Sequence, residues 1–163
     1  MTTTPEIQFY HLLATSVQEA LPKLLERAFT NALPTLIHCE KSQLEQLDQW
    51  LWSYAPNAFL PHGRDGDAHS DKHPIWLTTT AENPNHATLL IIVNGVTLQE
   101  MTQGNTLASI TRVFDTFDGA DDNAVAQART RWKHYADLGY ALRYIQQNPN
   151  GGWDVKKEVA AKP

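Results

Sequence analysis

The run LLIIV, Leu89–Val93, holds five consecutive aliphatic residues and no polar position. Successive side chains of a strand point to opposite faces, so a strand with one wet face alternates apolar and polar residues. This run does not alternate; it reads as a strand buried on both faces, the pattern of a parallel sheet under helices. IWLTT at 75–79 reads the same way. Upstream, IQFYHLL (7–13) is a short aromatic-rich strand, and SVQE (16–19) has the Ser and Glu of a capping box. The helix that follows, over 17–29, sets Ala20, Leu21, Leu24, Leu25 and Ala28 on one stripe and ends near Asn31 and Pro34. PTLIHCE (34–40) is a second strand, and SQLE (42–45) reads as a second capping box opening a helix with Leu44, Leu47, Asp48 and Leu51. Trp50 and Trp52 lie on its last turn.

Residues 56–74 contain three prolines, two glycines and a string of His, Asp and Ser, and read as loop. After the central strands, Asn94-Gly95 marks a turn, and SITRVFDTF (109–117) alternates imperfectly as another strand. The acidic turn DGADDN (118–123) places Asp118, Asp121 and Asp122 where a helix N-terminus favours negative charge. A last helix is expected over 123–138, stopped by Gly139, with YALRYIQ (140–146) as a final strand and NPNGGW (148–153) as a turn. The polar tail beyond Trp153 is expected to fray, which puts the core at about 7–155 and disorder at 156–163. No repeat or linker divides residues 1–163, so the expectation is a single α/β domain with helices covering a mostly parallel sheet.

Composition bounds the function. With 42% hydrophobic residues and five each of Trp, Tyr and Phe, the chain can build a globular core without staples. A net charge of -5 argues against a coat for phosphate backbones, which needs many cations to displace counterions. Cys39 is the one cysteine, excluding an intramolecular disulfide and suiting a reducing compartment. The N-terminus lacks a secretory pattern, and the longest apolar run, ATLLIIV (87–93), is strand length, so a cytoplasmic protein without a membrane span is expected.

Catalytic signatures are weak. There is no GxxxxGK[ST] loop and no GxGxxG after the first strand. His38, Cys39 and Glu40 are strand neighbours that point to alternate faces, so adjacency does not make a relay and Cys39 reads as structural. The loop PHGRDGDAHSDKHP (61–74) offers His62, His69, His73, Asp65, Asp67 and Asp71, but at no recognised metal spacing. Ordering such a loop costs entropy, so a solvated turn is the preferred reading and a metal-dependent hydrolase built on residues 62–73 the alternative.

Two clusters point to binding instead. ARTRWKHYADLGY (128–140) puts Arg129 and Lys133 four apart on a helix face beside Trp132, with Arg131 and Tyr135 as a neighbouring pair. Four of the thirteen Lys and Arg fall between Arg129 and Arg143, against Asp137 alone, so one patch of an acidic protein is basic. Such a patch can grip a carboxylate-rich peptide and receive an apolar anchor. Equally, Trp132 and Tyr135 can be core while the cations cap a helix C-terminus, and spacing leaves both readings standing. Direct binding of single-stranded DNA through Trp132 is a further alternative, opposed by the net charge. WLWSYAPNAFLPH (50–62) gathers Trp50, Trp52, Tyr54 and Phe59, more aromatics than a local core needs; core packing is the default and a partner surface the alternative.

Taken in order, FYHL from Phe9, LDQWLW ending at Trp52, FLPH (59–62), PIWLT (74–78), the strand before Asn94-Gly95, Phe117-Asp118 and the A-R-x-R-W-K-x-Y…G pattern of 128–139 resemble the chi subunit of bacterial DNA polymerase III. The likeness runs from about Phe9 to Trp153. It implies a three-layer Rossmann-like domain with helices on both faces, no cofactor or metal, and no activity of its own within a DNA-directed DNA polymerase (nucleotidyltransferase) complex. It implies a clamp-loader adaptor, monomeric or paired with a psi subunit, that meets DNA only indirectly through the single-stranded DNA-binding protein. That protein's tail, acidic and ending in Phe, would bind Arg129, Trp132, Lys133, Tyr135, Gly139 and Tyr140; psi would bind Trp52, Phe59, Pro61 and His62. Val125 and Ala136 stand where some relatives carry further cations, which implies a less basic tail pocket here.

Overall fold

The apolar run Leu89–Val93 is a central strand, paired in parallel with a neighbour on each side. This computed structural model describes residues 4–94 and 106–163. Within them the strands are β1 (Glu6–Leu12), β2 (Thr35–His38), β3 (Gly63–Arg64), β4 (Ile75–Thr78), β5 (Leu89–Val93), β6 (Arg112–Asp118), β7 (Leu142–Gln147) and β8 (Trp153–Val159). The α-helices are α1 (Val17–Thr30), α2 (Lys41–Ser53) and α3 (Asp122–Asp137). The sheet order is β3-β4-β2-β5-β6-β1-β7-β8, parallel throughout except that β8 runs antiparallel to β7.

Strand alternation sorts the core into two layers. Leu89, Ile91 and Val93 pack with α1 and α2 on one face, beside Tyr10, Leu12 and Ile37. Leu90 and Ile92 pack on the other with Ile7, Phe9, Val113 and Phe117, under Ala128 and Tyr135 of α3. The mixed α/β class with a mostly parallel sheet and helices on both faces is therefore the architecture.

Local signals explain the boundaries and the departures from expectation. Ser16 caps α1 in both directions, accepting from the Glu19 amide at 3.1 Å while the Glu19 carboxylate accepts from the Ser16 amide. The second capping box does not form: α2 begins at Lys41, one residue before Ser42, and its N-cap Glu40 makes no side-chain bond. The stretch read as loop at 56–74 contains the two-residue β3, paired with β4, and a 3₁₀ turn at Ser70–Lys72. Strand β6 starts at Arg112, after a 3₁₀ turn at Thr106–Ala108. Asn94 has a left-handed φ of 48°, and Gly95 of the expected turn lies outside the described residues.

The largest correction is at the C-terminus. Residues expected to fray form β8, a full edge strand that pairs with β7 through Val159. The polar composition is that of a strand with exposed faces, where Lys and Glu discourage edge-to-edge association. Gln147, at the end of β7 and 3% exposed, accepts bonds from the Leu13, Ala14 and Thr15 amides and fixes the turn from β1 into α1.

Candidate functional site

Helix α3 is positioned by an ion pair that its sequence conceals. Arg131 grips Asp115 of β6 through two bonds of 2.8 Å, with both side chains nearly buried. Burial pushes the Asp115 carboxyl above its ordinary value against the opposing pull of Arg131. Such a buried, bidentate pair fixes how the helix sits on the sheet. At its N-terminus, Asp121 caps the amides of Asn123 and Ala124. With Arg131 and Tyr135 turned inward, Arg129 and Lys133 are exposed and Trp132 lies half-buried.

Trp132 packs edge-on against Phe9, at 5.3 Å between centroids, and against Tyr144, at 5.7 Å. One side of it opens on a groove of about 410 Å³ lined by His11, Arg129, Trp132, Tyr144, Gln146, Lys156 and Lys157. On the groove floor the His11 Nδ1 and the Tyr144 hydroxyl share a 2.5 Å hydrogen bond. Burial holds the His11 imidazole below its ordinary value, with the nearby Gly119 backbone opposing the effect and Arg129 adding to it. Burial likewise raises the Tyr144 phenol. The groove thus combines an aromatic wall, an uncharged polar floor and cations on its rim.

The residues assigned to the tail site by sequence divide. Arg129 and Trp132 line the groove together. Tyr135 does not; it is 2% exposed and belongs to the core beneath α3, a correction that follows from its place on the helix stripe with Ala128. Tyr140 is half-buried, edge-on to Tyr135 at 6.1 Å. Gly139, at φ 91°, ends the helix, and its carbonyl accepts a bond from the Lys162 amide. Lys133 is exposed on α3 outside the groove lining. Sequence reasoning missed His11, Tyr144, Lys156 and Lys157. The only signal for the lysines was the pair itself, in a segment taken for disordered tail.

The second cluster splits by face. Trp50 donates to the Gln18 carbonyl at 2.7 Å, and Tyr54 bonds Glu26, so both pack on α1. Burial, with the Glu26 carboxylate adding to it, pushes the Tyr54 phenol up to about 12. Trp52 and Phe59 instead face outward, 50% and 71% exposed, with ring centroids 5.9 Å apart. Pro61 is half-buried beside them. His62 is 3% exposed, a correction to its reading as a contact residue: its ring lies 4.0 Å from Trp52 and supports it from below. The imidazole is fixed between the Leu60 carbonyl at 2.7 Å and Asp48 Oδ1 at 3.1 Å.

Four of the six loop side chains weighed as metal ligands, His62, Asp65, Asp67 and His73, are engaged locally. Asp65 accepts from the Thr79 amide, Asp67 from the Arg64 amide, and His73 Nε2 bonds the Ala68 carbonyl. Among the described residues no group of three His, Cys, Asp or Glu side chains is placed to hold an ion. Cys39 is 1% exposed, and burial pushes its thiol up to about 12.

Fold and surface together define an open-sheet α/β protein whose chemistry-bearing side chains gather in a surface groove and an aromatic patch. The family model described as DNA polymerase III chi subunit, HolC, matches residues 4–143. The chain is 31% identical over 140 residues to the DNA polymerase III subunit chi of Haemophilus influenzae, covering 83% of this chain and 92% of that one. It is 29% identical over 124 residues to the subunit of the same name from Pseudomonas aeruginosa, covering 74% and 80%. To the probable DNA polymerase III subunit chi of Rickettsia prowazekii it is 28% identical over 99 residues, 60% of each chain. The chain belongs to the DNA polymerase III chi-subunit family.

Proposed function

We propose that this protein is a non-catalytic adaptor of the replicative polymerase, joining the clamp loader, through a psi-type subunit, to the acidic tail of single-stranded DNA-binding protein. The observation that carries the tail-binding half is the groove beside Trp132, where an aromatic wall adjoins exposed Arg129. A Phe ring finds apolar contact there, and a terminal carboxylate finds a guanidinium able to hold it by two hydrogen bonds. The psi-type subunit is assigned to the patch of Trp52 and Phe59. Two exposed aromatic rings side by side fit a partner-binding anchor, since aromatic residues dominate interface energetics. His62 acts in this patch by supporting Trp52, and Pro61 is assigned to it as a contact residue near Phe59 in the chain.

Fluorescence anisotropy with a labelled acidic peptide ending in Phe tests the tail assignment. Arg129→Ala is expected to weaken binding at least about tenfold, as loss of a charged hydrogen bond does. Removing the terminal Phe is expected to weaken it more than added salt does. Equal binding by the wild type and Arg129→Ala, or no binding at tens of micromolar peptide, contradicts the assignment. Because tails are presented in several copies, even micromolar single-site affinity suffices for tethering.

A further inference from the structure

The matched family stretch ends at residue 143, whereas β8 begins at Trp153. Beyond that stretch the chain returns along β7 as an antiparallel partner, and the return is irregular at one point. Tyr144 pairs with Lys157, but Ile145 pairs with Val155, so Lys156 is an extra residue in the ladder. In a regular strand, Lys156 and Lys157 would point to opposite faces. A bulge breaks that alternation and re-aims a side chain. Here both lysines line the groove beside Trp132, and Lys157 Nζ stands 5.8 Å from the Trp132 ring centroid.

Electrostatics give the bulge a purpose. Lys156, Lys157 and Arg129 are exposed, and among the described residues none of the three has a carboxylate within ion-pair distance. The neighbouring Glu158 is engaged elsewhere, by Arg143 at 3.1 Å. On a chain of net charge -5, three unpaired cations around one groove of about 410 Å³ form a local excess of positive charge. Helix α3 supplies Arg129 to that excess and no second cation to the groove lining, because Val125 and Ala136 are uncharged, Arg131 is consumed by Asp115 and Lys133 lies outside the lining.

We propose that β8 is a working part of the tail-binding site: Lys156 and Lys157, brought together by the bulge, form its second cationic wall and take the acidic residues preceding the terminal Phe. Arg129, which lines the same groove, takes the terminal carboxylate. The inference rests on the tail-binding reading above and adds to it that this chain draws its specificity for acidic residues from outside the family stretch.

The experiment titrates the labelled acidic, Phe-ended peptide against the full chain and three variants: Lys156→Gln/Lys157→Gln, Lys156→Arg/Lys157→Arg, and a deletion of Lys156. The Gln pair is expected to weaken binding about three- to tenfold, the range for two exposed ion pairs, and to flatten its salt dependence. The Arg pair is expected to retain wild-type affinity. Deleting Lys156 regularises the ladder and is expected to weaken binding by at least about twofold. These lysines are exposed, so circular dichroism melts of the point variants should overlay the wild type. Wild-type binding with less than a twofold change in the Gln pair overturns the role of β8 and leaves the tail-binding reading standing. Absence of binding by the wild type overturns both.

Discussion

Single residues carry the clearest chemistry in this molecule, and much of it is set by burial. Cys39 is enclosed, with its thiol pushed up to about 12, so almost none of it is thiolate at pH 8. A thiol reagent such as dithionitrobenzoate should therefore leave the native protein unlabelled over minutes and react fully in denaturant; rapid native labelling would show Cys39 to be accessible. His11 and His38 are both held below the ordinary histidine value, chiefly by burial. A depressed folded value means that these groups contribute stability above about pH 6.5, which is lost as pH falls through their folded values. Proton NMR titration should place His11 below 6.5, and a value at or above 6.5 contradicts its burial in the groove floor. The buried nature of Cys39 was readable from residue type. The burial of Tyr135 and His62 was not, because a helix face or a loop position does not say which side meets the sheet.

At the scale of elements, sequence pattern was most legible where local and tertiary signals agree. LLIIV read correctly because no single-faced strand leaves a five-residue aliphatic run, and α1 because both halves of its capping box form. The SQLE stretch failed because the helix started one residue early and left its serine inside the first turn. Strand β8 was invisible because it carries few apolar residues, with Trp153 and Val159 set by the bulge against different core layers, and because an edge strand is polar by need. The cations of helix α3 looked alike in the sequence, yet one of them, Arg131, is structural. Arg131→Ala should cost about 3–5 kcal/mol in urea unfolding, since it strands the buried Asp115 carboxylate. Replacing both partners with apolar residues, as in Asp115→Leu/Arg131→Met, should recover most of that loss; no recovery would mean that packing rather than charge fixes the helix. Ser16→Ala should cost about 1 kcal/mol, through loss of the α1 cap.

Across the whole molecule, the groove and the aromatic patch belong to opposite halves of the sheet. The groove is built on β1, β7, β8 and α3, and the patch on the end of α2 and the chain leading into β3, beyond β4. They share no side chain, so substitutions in one should leave the other unchanged, as holds for separated sites. Trp52→Ala/Phe59→Ala should keep wild-type affinity for the acidic peptide, and a loss above about threefold would indicate coupling between the halves. The adaptor role proposed above requires this independence, because such a protein would hold two partners at once. The most direct measurement is an amide NMR titration of the full chain with the acidic, Phe-ended peptide. Shifts confined to the surroundings of His11, Arg129, Trp132, Tyr144 and Lys156–Lys157, with Trp52 and Phe59 silent, are predicted. Shifts centred on Trp52 and Phe59, or none at saturating peptide, would contradict the account.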